Sequence, residues 1–153
     1  MEHAMKNQHI KNLISINSIY YVMQQKVMIV DDDPDILITI RELLEPEGFE
    51  VFTVQNGKEC IDELEHGFKG VILMDIMMPY MDGWTTLRQI ILKGFHKDNI
   101  ISMISAKDEC DWRFDDLKQY IQNYITKPFD AKHLVTLVKG YFSTSPSKVP
   151  HAG

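Results

Sequence analysis

Asp31, Asp32, Asp75, Ser105 and Lys127 each stand at or just beyond the end of a short apolar run, and together they could handle a phosphoryl group. The runs are Val27-Met-Ile-Val, Val71-Ile-Leu-Met, Ile100-Ile-Ser-Met-Ile and Tyr124-Ile-Thr. Three carboxylates in one place repel: a pair about 4 Å apart costs roughly 4 kcal/mol at an effective dielectric near 20. Such a cluster requires a cation or a protonated acid. All-oxygen donors without His or Cys favour Mg2+ over zinc, and Mg2+ keeps waters and leaves room for a phosphate oxygen. Lys127 would add a second positive charge and Ser105 a hydroxyl. The set suits a carboxylate that accepts a phosphoryl group while positive charge neutralises the transferred oxygens.

That chemistry requires residues far apart in sequence to meet, and the pattern of the chain supplies the means. Runs of this length bounded by turn signals read as buried parallel strands. In an open α/β sheet, parallel strands present their C-terminal ends on one edge, where ligands bind. Asp33-Pro34 reads as an N-cap followed by proline at the first helical position. Ile36, Leu37, Ile40, Leu43 and Leu44 then form a helical stripe that ends near Pro46-Glu47-Gly48. Phe49 to Val54 is a second strand, and Asn56-Gly57 opens a helix carrying Cys60, Ile61 and Leu64, closed by Gly67. Asp82-Gly83 leads into a helix with Leu87, Ile90 and Ile91. Asp108 to Tyr120 reads as a fourth helix, Asn123 to Thr126 as a fifth strand, and a last helix carries Leu134, Leu137 and Val138. Five βα units predict an α/β fold with a doubly wound, all-parallel sheet covered by helices on both faces.

The bulk properties agree. A chain of 153 residues suits one domain with a full core. The net charge of −6 argues against direct nucleic-acid binding, which favours a basic face. No run is long and apolar enough for membrane insertion. Cys60 and Cys110 form no CxxC pair, so reduced thiols and a cytoplasmic location are expected. Residues 1–25 form a leader, read as a short amphipathic helix carrying Ile10, Leu13 and Ile14 or as a non-native extension, with Met23 as another start. Residues 26–142 form the patterned domain. Residues 143–153, rich in Ser and Pro, read as a disordered tail.

The stretches Lys26-Val-Met-Ile-Val-Asp-Asp-Asp-Pro-Asp35, Met74-Asp-Ile-Met-Met-Pro-Tyr-Met-Asp-Gly83, Ser105-Ala-Lys-Asp108 and Lys127-Pro-Phe129 resemble the receiver domain of two-component response regulators, in order and spacing, from Lys26 to Phe142. The resemblance implies a flavodoxin-like, CheY-like sheet with strand order 2-1-3-4-5. It implies that Asp75 accepts the phosphoryl group from a sensor histidine kinase, a phosphotransfer protein or a small donor such as acetyl phosphate. Asp31 and Asp32 would hold Mg2+ with Asp75, and Met77 would add its backbone carbonyl. Ser105 and Lys127 would follow the phosphoryl group, and Tyr124 would be the aromatic switch that turns inward when Ser105 moves. The Lys127-Pro128 bond would be cis. The fourth helix, fifth strand and last helix would form the output face for a protein target, with homodimerisation left open.

Simpler roles compete at single positions. Asp33 is better read as a helix cap than as a ligand, and Tyr124 as a packed aromatic would need no switching role. Trp84 reads as helix packing and Trp112 as an exposed or interface aromatic. The scattered histidines show no metal spacing, so the phosphohistidine is expected on a partner. The segment Leu117-Lys-Gln-Tyr-Ile-Gln-Asn-Tyr124 lacks the Gly-Ala turn and acidic pair of many family members, which affects the partner rather than the site. With little chain after Phe142, the expected output is protein contact by a stand-alone switch. Two alternatives remain: a binding module independent of phosphorylation, and a Mg2+-dependent phosphohydrolase, for which Met77 stands where a second aspartate is needed.

Overall fold

The computed structural model describes residues 4–12, 25–106 and 112–143. Residues 4–12 form an exposed helix, α1. The expectations for Leu13, Ile14, Cys110, the Trp112 side chain and the tail beyond Ser143 lie outside the described residues. The strands are β1 (Lys26–Val30), β2 (Glu50–Val54), β3 (Val71–Asp75), β4 (Ile100–Ser105) and β5 (Asn123–Thr126). All pair in parallel in the order β2-β1-β3-β4-β5. The doubly wound reading and the expected strand order are therefore both observed.

The helices α2 (Pro34–Leu44), α3 (Gly57–Glu65), α4 (Gly83–Leu92) and α5 (Ala131–Ser143) cover the two faces of this sheet. Alternation along the strands divides the core accordingly. Val27, Ile29, Leu73 and Ile104 pack with Leu37, Ile40, Leu134 and Val138 on the α2 and α5 side. Met28, Val30, Met74 and Met103 pack with Cys60, Leu64, Leu87 and Ile90 on the α3 and α4 side.

Local chemistry fixes where each helix begins. Asp33 accepts from the Asp35 N–H at 2.9 Å, with Pro34 opening α2 as read from the sequence. Asn56 caps α3 through the Glu59 N–H, and Asp82 caps α4 through the Thr85 N–H. Each cap satisfies an amide that the helix itself leaves unpaired. Gly48, at φ +92°, turns the chain from α2 into β2.

The helix expected over Asp108 to Tyr120 is the main correction. Among the described residues this segment forms two short 3-10 turns, Trp112–Phe114 and Lys118–Tyr120. Phe114, Leu117 and Tyr120 recur every third residue, the period at which side chains align on a 3-10 rather than an α backbone. Leu117 is buried, and Phe114 and Tyr120 pack half-buried against the α4-side core. Aspartates at 115 and 116 add little helix propensity, and Asp116 reaches Arg88 of α4 at 3.2 Å.

Candidate functional site

The C-terminal ends of β1, β3, β4 and β5 bring the sequence-predicted residues to one edge. Asp75 is the last residue of β3 and is 5% exposed; Asp31, just past β1, is fully buried, and Asp32 beside it is exposed. Carboxylate oxygens of Asp31, Asp32 and Asp75 lie within 4.8 Å of one another. Ser105 ends β4, buried, in register with Thr126. Its carbonyl accepts the Lys127 N–H at 2.6 Å, which fixes where the lysine leaves β5. The Lys127-Pro128 bond is cis.

Lys127 makes the decisive electrostatic contacts, and its preference was not legible in the sequence. Its Nζ donates to Asp31 Oδ2 at 2.7 Å and lies 3.5 Å from Asp75 Oδ1. Burial alone would pull the ammonium down, but the bond to Asp31 and the charges of Asp75 and Asp31 outweigh it and hold its pKa above the ordinary value. Asp31 Oδ1 also accepts the Asp33 N–H at 2.9 Å. Asp31 is thus held on both oxygens, whereas Asp75 is the less compensated acid. Burial first, and then the Asp31 charge, push Asp75 up to about 6, against the opposing pull of Lys127 and the Met77 backbone N–H. One cation is shared between two of the three carboxylates, Asp31 and Asp75, and the remaining repulsion falls on Asp75.

The donor set fits a hard divalent cation: the clustered ligands are all carboxylate oxygens, with no imidazole or thiolate among them. Asp32 faces solvent and so leaves the cluster open on one side. The Met77 side chain is exposed at 64%, and its loop is pinned on either side by buried Ile76 and Met78. Tyr124 is 48% exposed, its ring 6.4 Å from Trp84. Trp84 is more than peripheral packing: it is 3% exposed and stacks on Phe114 with centroids 4.9 Å apart and planes 6° from parallel. The sequence reading missed this pair, although a lone phenylalanine among aspartates was a usable signal.

Residues 27–139 match the family model of the response regulator receiver domain. This chain belongs to that family. Among curated receiver-containing proteins it is 32% identical over 120 residues to the transcriptional regulatory protein CpxR of Escherichia coli K12, covering 78% of this chain and 50% of CpxR. It is 33% identical over 138 residues to the transcriptional regulatory protein SrrA of Staphylococcus aureus, covering 85% of this chain and 55% of SrrA. The chain therefore spans about half the length of the curated relatives it matches. Among solved structures, a CheY-like response regulator receiver domain protein from Methanospirillum hungatei superposes with a TM-score of 0.74 at 40% identity, over 78% of this chain and 94% of that one. The response regulator TrrA of Thermotoga maritima, solved in complex with Mg2+ and BeF, gives a TM-score of 0.66 at 29% identity over 76% and 97%.

Within this receiver, Gly83 sets the distance between α4 and the site. A Cβ there would overlap the carbonyl oxygen of Asp75 and come within 2.8 Å of Ile76 Cα. The Gly83 N–H also donates to the Ile76 carbonyl at 2.8 Å. Gly83→Ala should therefore displace α4 from the β3 end and destabilise the fold by about 1–3 kcal/mol, read by urea denaturation.

Proposed function

We propose that this receiver is a phosphorylation-dependent switch in which Asp75 accepts a phosphoryl group. The observation that carries this reading is the buried Asp75 carboxylate, flanked by the oxygens of Asp31 and Asp32 and by Lys127 Nζ at 3.5 Å. Asp31, Asp32, Asp75 and the Met77 carbonyl would hold Mg2+, and the TrrA complex with Mg2+ and BeF supports that assignment by kinship. When bound, the ion would supply the positive charge that lets a phosphate oxygen approach the acids.

The chain's own residues do the rest. An Asp75 oxygen attacks phosphorus, and the donor's bond to phosphorus breaks, so Asp75 becomes an acyl phosphate. Lys127 moves its ammonium from Asp31 toward the new oxygens, and the Ser105 hydroxyl donates to another. The donor is a sensor histidine kinase, a phosphotransfer protein or a small acyl phosphate in the cytoplasm. The receiver catalyses its own phosphorylation and the later hydrolysis, and acts on no separate substrate. The added charge, about −1.5 to −2, biases a two-state element. Tyr124 turns as Ser105 moves, and the face made by residues 112–120, β5 and α5 carries the signal to a protein target or a second copy. No helix among the described residues is long and apolar enough to cross a membrane.

Intact-mass spectrometry after incubation with acetyl phosphate tests the reading. One labile phosphoryl adduct is expected with Mg2+ and none with EDTA. A protein left unmodified by acetyl phosphate and by phosphorylated kinases would instead be a binding module independent of phosphorylation.

A further inference from the structure

Segment 112–120 is fastened to α4 at two points. Trp84 and Arg88 lie one turn apart and so share a face of that helix. Trp84 stacks on Phe114, and Arg88 pairs with Asp116 at 3.2 Å. Leu117 is buried in the same core as Trp84, Leu87 and Met103. The ion pair is exposed and contributes little, so the stack and the leucine hold the segment. The other end of this connection is the site itself. Gly83, the residue before Trp84, rests on the backbone of Asp75 and Ile76 too closely for a Cβ. Trp84 also lies within aromatic contact range of Tyr124. One buried indole thus adjoins the Phe114 and Tyr124 rings, on a helix whose first residue, Gly83, rests on the β3 end.

We propose that Trp84 and Phe114 are a positioning pair whose stack belongs to the unphosphorylated arrangement and is loosened when Asp75 is occupied. This rests on the phosphoacceptor reading above and adds a route to the surface through α4. Movement at Asp75–Ile76 or at Tyr124 shifts Trp84, the stack slips, and the turns at 112–120 loosen. The turns are held by the Leu117 N–H on the Phe114 carbonyl at 2.9 Å and the Tyr120 N–H on the Leu117 carbonyl at 3.0 Å. Linkage then runs in reverse as well: weakening the stack must favour occupancy of Asp75.

The test uses beryllofluoride with Mg2+ as the phosphoryl stand-in, on the full chain. Trp112→Phe leaves Trp84 as the sole indole, since the chain has two tryptophans. Saturation should shift Trp84 emission and speed exchange of the Leu117 and Tyr120 amides. Phe114→Leu, at a half-buried position, should tighten beryllofluoride binding about two- to tenfold and shrink the emission change, while Phe114→Tyr keeps the ring and should behave as wild type. Unchanged emission and exchange at saturation in a protein that acetyl phosphate labels would overturn the positioning role and leave the phosphoacceptor reading intact. So would wild-type beryllofluoride affinity in a folded Phe114→Leu. If Phe114→Leu fails to fold, the emission of the Trp112→Phe protein and the amide exchange results decide alone. Failure of both beryllofluoride and acetyl phosphate on wild type would remove the phosphoacceptor reading, and the positioning role with it.

Discussion

Lys127→Met should destabilise the metal-free protein by about 2–4 kcal/mol at neutral pH, somewhat less than breaking a fully buried ion pair, because the Lys127 side chain is 21% exposed. The ammonium is the positive charge bonded to Asp31 Oδ2, at 2.7 Å, and it also lies 3.5 Å from Asp75. Removing it leaves two buried acids to repel one another across the β1 and β3 ends. Part of the loss is recovered when they share a proton, so the deficit should narrow as pH falls. Mg2+ should recover more of it. The same substitution removes the cation that competes with the metal for Asp31, so Mg2+ affinity should rise. Urea denaturation with and without Mg2+ checks both effects. A variant as stable as wild type in EDTA would contradict the ion-pair account.

Asp75→Asn should act in the opposite sense, stabilising the metal-free protein by about 1–2 kcal/mol at neutral pH. Burial and the Asp31 charge raise the Asp75 pKa from 3.8 to about 6. The sign follows from proton counts. Between those values the folded state holds more protons than the unfolded state, so this group makes the protein more stable as pH falls through about 6. Above that value the carboxylate is charged and its full penalty is present. Asparagine keeps the shape without the charge, removes the penalty and flattens this part of the pH profile. Melting curves in chelator on either side of that pH read both effects. An Asp75→Asn protein less stable than wild type in alkaline buffer would place the repulsion elsewhere.

The sheet was legible because its strands are saturated with apolar residues and stop at polar ones. Val71-Ile-Leu-Met-Asp75 has no other comfortable place than a buried central strand ending at the ligand edge. Asp33-Pro34, Asn56-Gly57 and Asp82-Gly83 marked helix starts because a cap has local chemistry that needs no tertiary partner. Convergence of Asp31, Asp32, Asp75, Ser105 and Lys127 followed from parallel topology alone. What failed was the α-helix expected over Asp108 to Tyr120, because its described residues 112–120 form two 3-10 turns instead. The outcome there depends on contacts outside the segment, chiefly the Trp84 stack on Phe114 and the burial of Leu117, and no window confined to the segment contains that information. One electrostatic detail was hidden for the same reason. Nothing in the order of residues says that Lys127 prefers Asp31 to Asp75, because that depends on where each carboxylate is already bonded.

The most direct test of the account is to locate the phosphoryl group chemically. The protein is labelled with acetyl phosphate and Mg2+, reduced at once with borohydride, digested and sequenced by tandem mass spectrometry. An acyl phosphate on aspartate is reduced to an alcohol, so homoserine should appear at position 75, only with Mg2+ present and at no other aspartate. Homoserine at Asp31 or Asp32, or a phosphoryl group that survives reduction on a serine or histidine, would contradict the assignment of Asp75 as the acceptor.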